Sequence, residues 1–501
     1  MSRSRRFVAD VSWSLGGQIT LALINLAVIP VMVRGLGTEG YGLYVMMHSA
    51  ASYLPALCLG AGAALVKFLS EHDAARAGRA VRDDLRVAAL IHGGAALLGG
   101  AVLWAFAPAL AREFLRDPGT RLADAVLVLR AAAVGGAFLS GLQWAMYSLQ
   151  GLRRFDQQNV LAVAQGALLP AGALALLATG RGMVEIAVWY AVVNALCFAA
   201  GVVLVLRRAA SVPDRGPRAD GRAFVLFGLG VWPGSMAWLV CNQVDKLFIL
   251  RVQELTSLTL YAVPLAALQR LQVLPASVAA VLLPTISAAG GQDATETLRR
   301  IYLSVMRVML ALLWPAYVLL FAFMPQLLSL WLGGRFGDDS VWPARLLVLG
   351  QAFAVLAYVP NTVALGRGRP AFSSVFAWSQ AGLSVLLWMA LVPHWGILGA
   401  AAGAAAGQAL PALAYAAFVQ TRLLGLGWRS YLWDCLARPF VSSAALLAAA
   451  MLLHARGTSW LLLFALCGAG VALSYGLSWL LLSGDDRELA LGILRRRART
   501  G

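Results

Sequence analysis

Six cations stand where a cation is expensive. Lys67, Arg130, Lys246, Arg270 and Arg307 each interrupt a long apolar run, and Arg34 lies near the mouth of another. Ionisable groups in such runs tend to face a protein interior or a water-filled cavity, because hydrocarbon solvates charge poorly. Fixed positive charge in a cavity suits an anion. Arginine suits phosphate in particular, since its planar fork donates two parallel hydrogen bonds. For any one of the six, the other readings are structural pairing, snorkelling toward headgroups, or contact with lipid phosphate.

One acidic group joins them. Asp245 precedes Lys246 and follows Asn242 by about one helical turn. Adjacent helical residues point about 100° apart, so the two charges are not expected to pair face to face. Asn242 and Asp245 are therefore candidates for ion coupling, holding Na⁺ or a proton while Lys246 faces the anion. An internal salt bridge that fixes helix packing is the other reading. Gln18, Asn25, Gln143, Gln165, Asn194, Gln351, Asn361, Gln380 and Gln408 read mainly as interhelical links. Most of the sixteen tryptophans fit interfacial belts; Trp144 and Trp388 are the exceptions, placed for stacking on a sugar.

The elements that must position these residues are long and apolar. With 60% hydrophobic and 13% charged residues and a mean hydropathy of +0.75, a chain of 501 residues cannot hide its apolar surface in a soluble core. A helix needs about 20 apolar residues to cross a bilayer, and lipid admits only helices or closed barrels. The runs are too long for barrel strands. About fourteen spans are expected by this length rule: Val11–Val33, Gly42–Val66, Ala88–Leu110, Leu122–Leu149, Val160–Ala178 and Ile186–Leu206, then Phe224–Leu250, Leu258–Ile286, Ile301–Leu332, Leu346–Leu365, Phe372–Val392, Ile397–Val419, Pro439–Leu453 and Ser459–Leu482. The fold class is all-α integral membrane. Met1–Arg6 followed by the first run reads as a span, not a cleaved signal.

Basic residues collect at alternate helix ends. Arg76, Arg79, Arg82, Arg86, Arg153, Arg154, Arg207, Arg208, Arg299, Arg300, Arg367, Arg369 and Arg495–Arg497 fall on one side, which the positive-inside rule makes cytoplasmic. Both termini are then cytoplasmic. The net charge of +17 is accounted for by topology and anionic headgroups, so no nucleic-acid partner is expected. Cys58, Cys197, Cys241, Cys435 and Cys467 lie in spans without CxxC spacing, and the five histidines are scattered; no metal site or disulfide frame is expected. Glu39 stands alone and Asp338–Asp339 sits in a turn, so no acid–base pair marks an enzyme.

A repeat organises the chain. Leu149-Gln150-Gly151-Leu152-Arg153 resembles Ala364-Leu365-Gly366-Arg367-Gly368, and Gln165 and Gln380 follow at the same spacing. Gly182 with Asn194 and Gly396 with Gln408 continue it, at an offset of about 215–220 residues. Two six-span lobes related by a pseudo-twofold axis along the membrane normal are expected, around a central cavity. The expected divisions are an N-lobe at 1–206, a cytoplasmic linker at 207–223, a C-lobe at 224–422, and two extra spans with a basic tail at 423–501. Two-lobe repeats of this kind suit transport by rocking about a shared site.

At Val33-Arg34-Gly35-Leu36-Gly37-Thr38-Glu39-Gly40-Tyr41-Gly42-Leu43-Tyr44 the chain resembles the Wzx-type polysaccharide flippases, the O-antigen and exopolysaccharide translocases of the multidrug/oligosaccharidyl-lipid/polysaccharide (MOP) exporter superfamily. The resemblance continues through Leu59-Gly60-Ala61-Gly62, Leu149-Gln150-Gly151, Asp245-Lys246, Tyr261 to Pro284, and Gly396-Ile397-Leu398-Gly399-Ala400-Ala401. It implies a flippase in the bacterial inner membrane that carries an undecaprenyl-diphosphate-linked oligosaccharide to the periplasmic leaflet. The polymer served would be O-antigen of lipopolysaccharide, exopolysaccharide or capsule. No cofactor is implied beyond Na⁺ or H⁺ coupling, and a polysaccharide polymerase and an initiating glycosyltransferase would be its partners. The peptidoglycan-precursor flippases typically carry Asp where Tyr41 stands, which places that cargo second. A multidrug efflux antiporter should favour acidic cavity residues, and the deep charges here are mainly basic.

Overall fold

The computed structural model describes residues 3–115, 122–288, 294–333, 336, 338–427, 437 and 460–481, with the backbone alone considered for 3–22. Every regular element among them is helical. In chain order these are α1 (Arg3–Ala56), α2 (Ala61–Ala74), α3 (Gly78–Phe114), α4 (Leu122–Gly151), α5 (Phe155–Ala178), α6 (Met183–Ala210), α7 (Gly221–Leu239) and α8 (Asp245–Val252). They continue with α9 (Leu255–Leu271), α10 (Val273–Ala288), α11 (Ala294–Ala322), α12 (Met324–Leu332), α13 (Asp338–Ala354), α14 (Tyr358–Gly366), α15 (Pro370–Phe418) and α16 (Trp460–Leu481).

Nine helical stretches among the described residues are long and apolar enough to cross a membrane, and the chain is a multi-pass membrane protein. Two of the nine, Leu23–Ala56 and Ala371–Leu423, bend at Gly37 and Gly396 and contain parts of two expected spans each. The expected span Leu258–Ile286 forms instead as two shorter helices, α9 and α10, on either side of Gln272. Pro439–Leu453, the thirteenth expected span, lies outside the described residues, as do Arg335, Cys435 and the Arg495–Arg497 tail.

By its contacts the chain divides into two compact units, Met1–Ala262 and Val263–Gly501. In the first unit, glycines set the path of α1 and α2. Gly37 has φ 73°, a left-handed conformation that breaks the helix there. The freed carbonyl of Thr38 accepts the Thr259 hydroxyl at 2.6 Å, so the bend is docked on α9. Gly42 passes so close to α9 that a Cβ would stand 2.5 Å from the Leu255 carbonyl oxygen. The GLGxxxYGLY stretch is thus a bend followed by a helix crossing. Elsewhere in the first unit, Leu65, Leu69, Val81, Leu85, Leu149, Leu152 and Phe224 form one buried apolar cluster.

Polar contacts close one end of this unit. Arg208 donates to both carboxylate oxygens of Asp73, at 2.9 and 3.1 Å. His72 and Asp84 meet at 2.7 Å, and Arg82 pairs with Asp214. The amide of Arg79 reaches the Arg215 carbonyl at 3.4 Å. The Arg207–Arg222 stretch is therefore partly helical, as the end of α6, and partly strapped across the α2–α3 turn.

One form of helix ending recurs along the chain. After α4, the amides of Leu152, Arg153 and Arg154 bond the carbonyls of Ser148, Gln150 and Leu149. After α14, the amides of Arg367, Gly368 and Arg369 bond those of Val363, Leu365 and Ala364. The pattern is the same, with positive φ at Arg153 and Gly368, and it also ends α2 at Arg76 and α5 at Gly180, so it is a general helix stop in this chain. In the second unit, Arg345 caps the end of α11 by donating to the Phe321 carbonyl at 3.0 Å, and Tyr475 of α16 donates to the Leu312 carbonyl at 3.0 Å.

Two stability outcomes follow from these contacts, both read as thermal unfolding of the purified protein. Gly42→Ala pushes a methyl group into a carbonyl and should cost about 1–3 kcal/mol, whereas Gly93→Ala, where nothing lies within 4 Å, should be neutral or mildly stabilising. Asp73→Asn removes a largely buried bidentate pair with Arg208 and should cost about 1–2 kcal/mol. An unchanged midpoint in either destabilising variant would contradict the packing described.

Candidate functional site

The expected site residues do not stand in equivalent surroundings. Asn242, Asp245 and Lys246 converge. They lie where α7 passes through a π-turn, Val240–Val244, into α8. Such turns widen a helix by one residue and commonly mark functional positions. The Lys246 ammonium donates to the Asn242 carbonyl, to Gln243 Oε1 at 3.2 Å and to Asp245 Oδ1 at 3.5 Å. Three donors meet three acceptors. The other carboxylate oxygen, Asp245 Oδ2, accepts the Tyr261 hydroxyl at 2.8 Å. Asp245 is 1% exposed and Lys246 8%.

The sequence expectation that Asp245 and Lys246 cannot meet is corrected here. A lysine stem on a helix leans back toward the preceding turn, and the π-turn brings that turn's acceptors within reach. Lys246 therefore curls over its own neighbour. Asn242 has a second role, its side-chain amide donating to the Trp238 carbonyl at 2.8 Å. Its carboxamide is thereby engaged in holding the π-turn.

Two of the other expected cations in the first unit have aromatic partners. The exposed Lys67, on α2, sits 4.7 Å from the Phe68 ring centre and 4.4 Å from that of Phe227. Arg130, half-buried on α4, lies 5.2 Å from the Trp104 ring centre. Arg34 is exposed, three residues before the Gly37 bend. In the second unit Arg270 is exposed in the last turn of α9 and Arg307 is half-buried in α11. The contacts of Lys67 and Arg130 are with these rings and not with the Asp245 cluster.

Trp388 is shut off from any sugar, whereas Trp144 also lines an apolar groove between α3, α4 and α6. Both are buried, and their indole N–H groups donate to the Leu85 and Ala400 carbonyls at 3.2 and 3.1 Å. The amides behave as helix links: Gln165 donates to Asn194 at 2.8 Å, and Gln272 pairs with Gln351. Sequence reasoning missed Tyr261 and Gln243 as partners of the charge pair. Tyr261 carries no signal beyond its place in the motif, being sixteen residues away on another helix. Gln243 was findable, as an amide three residues before a lysine.

Against this geometry the likenesses to known proteins are coherent. A provisionally named O-antigen transporter of Shigella flexneri is 22% identical over 402 residues, covering 78% of this chain and 92% of that protein. The structure of a lipid II flippase, MurJ, in an inward closed conformation superposes with a TM-score of 0.74 at 12% identity, covering 95% of this chain and 98% of that one. An inward-facing multidrug resistance transporter of the MATE family, within the MOP superfamily, gives 0.63 at 15% identity, covering 83% and 98%. At these identities the structures speak for the fold alone, which is the MOP transporter fold. The proteins named are transporters and flippases, not enzymes. The profile described as "Polysaccharide biosynthesis protein" matches residues 7–289, more than half of the sequence, and the chain belongs to that family.

Proposed function

We propose that this protein moves an undecaprenyl-diphosphate-linked oligosaccharide repeat unit from the cytoplasmic to the periplasmic leaflet of a bacterial inner membrane. It would act by alternating access and supply O-antigen, exopolysaccharide or capsule assembly. The observation that carries the reading is Lys246, a buried ammonium in an apolar span of a polysaccharide-biosynthesis family member. A diphosphate is the anion such a cargo brings.

The geometry suggests an order of events. Of the three acceptors on Lys246, the Asp245 carboxylate at 3.5 Å is the most distant and the only charged one. An arriving diphosphate competes for the ammonium with two charges of its own. Lys246 then leaves Asp245, whose carboxylate keeps the Tyr261 hydroxyl but loses its counter-ion. An unpaired carboxylate in a low-dielectric site draws a cation. Uptake of H⁺ or Na⁺ at that moment would couple cargo to an ion gradient. Arg34, Lys67, Arg270 and Arg307 are further candidates for contact with the phosphates. A polymerase and an initiating glycosyltransferase would work on either side of this step, with both termini in the cytoplasm.

The test is mass spectrometry of undecaprenyl-linked glycans in cells depleted of the protein, with a probe of the leaflet they occupy. Accumulation of one complete, cytoplasm-facing repeat unit with loss of the surface polymer is the expected result. Normal glycan lipids with new sensitivity to cationic drugs would favour an efflux antiporter instead, and accumulated peptidoglycan precursor would name that cargo. In complementation, Lys246→Ala should lose at least about tenfold in polymer output, the loss of one charged contact, and Lys246→Arg should retain part of it. Tyr261→Phe removes one hydrogen bond to a buried carboxylate, about 1.5–3 kcal/mol; it should shift the ion dependence of transport in proteoliposomes. Wild-type ion dependence in Tyr261→Phe would sink the coupling role.

A further inference from the structure

A groove of about 660 Å³ runs along the first unit between α3, α4 and α6. Its floor is made of small residues, among them Gly93, Ala96, Gly100, Ala133 and Ala137. Leu97, Trp104 and Val134 on its rim are exposed, Leu97 by 76%, so it opens sideways onto the surface that a bilayer covers. An apolar groove on that surface is filled by lipid chain.

The groove has a length and a charged end. His92 and Trp104 both line it and lie twelve residues apart on α3, about 18 Å by helix rise. That is close to the depth of one leaflet, about 15 Å. At roughly 30 Å³ per small group, the share of a water molecule in liquid, the space holds about twenty chain carbons. One acyl chain fits. At the Trp104 end stands Arg130, its guanidinium over the indole. Among the described residues it meets no carboxylate, and its Nε is buried without a hydrogen-bond partner. A cation in an apolar span, unpaired by protein, calls for an anion from outside it.

We propose that this groove is a binding site for an anionic phospholipid, one acyl chain lying along α3 from Trp104 toward His92 and the phosphate held by Arg130. The lipid belongs to the leaflet at the Phe114 end of α3, the end away from the Arg76–Arg86 turn. The guanidinium lies over the indole face and can still offer the N–H donors at its edge to the phosphate. The site is complete within the first unit and independent of the cargo.

Native mass spectrometry of the purified full chain tests this, with palmitoyl-oleoyl phosphatidylglycerol, the matching phosphatidylcholine, undecaprenyl phosphate and inorganic phosphate as probes. Wild-type protein should retain one phosphatidylglycerol in preference to phosphatidylcholine. Arg130→Ala should weaken that retention about tenfold, with Arg130→Lys intermediate. Gly93→Leu grows into open space at the His92 end and obstructs the groove there, so it should also weaken retention with Arg130 intact; Gly93→Ala should keep it. Thermal unfolding of each variant separates lipid loss from misfolding, and Arg130→Lys against Arg130→Ala decides alone if Gly93→Leu is unstable. Equal retention of phosphatidylcholine, undiminished binding in Arg130→Ala, or preference for undecaprenyl phosphate would each overturn the proposal. So would competition by inorganic phosphate with no effect of Gly93→Leu, which would leave an anion site without a chain.

Discussion

Inside hydrocarbon a backbone amide has no partner but the chain itself, and most of this architecture answers that constraint. Several interruptions of helices are met by a specific acceptor or donor. The bend at Gly37 gives its neighbour's carbonyl to Thr259. The end of α11 gives two carbonyls to Arg345. The turns after α4 and α14 close on themselves through one shared set of bonds. Breaks that would be ruinous in lipid become fixed points at which helices dock.

Side-chain charge obeys the same rule less uniformly. Asp245 and Lys246 satisfy one another and their neighbours, while Lys67 and Arg130 rest on aromatic faces. Both solutions keep a cation near apolar surface without stranding it, but they leave it in different conditions. A lysine with three good acceptors gives up a bond only to a stronger anion. An arginine on an indole has its hydrogen-bonding edge still to offer.

Much of this was legible in the residues. Apolar run length marked the helices, because a span must be long and unbroken. The Asp245–Lys246 contact was not legible. It depends on a π-turn, and no residue among Val240–Val244 advertises one: valine, cysteine, asparagine and glutamine are all ordinary in a helix. Trp388 misled for a related reason. Depth in a span is readable from sequence position, but which way a ring points, toward a cavity or into its own unit, is decided by packing against residues far away in the chain. The bends inside α1 and α15 also escaped, since a glycine between two apolar runs reads as a loop as readily as a kink.

The π-turn has an evolutionary consequence. It amounts to one inserted residue, absorbed locally, with every later position of α8 shifted by a step. A relative lacking that residue would keep its Asp-Lys dipeptide yet present it on another azimuth, out of register with the tyrosine on α9. Comparison of this region across the family therefore requires a gap before the dipeptide wherever the helix is regular. Without one, residues that look equivalent in an alignment would face different neighbours in the membrane.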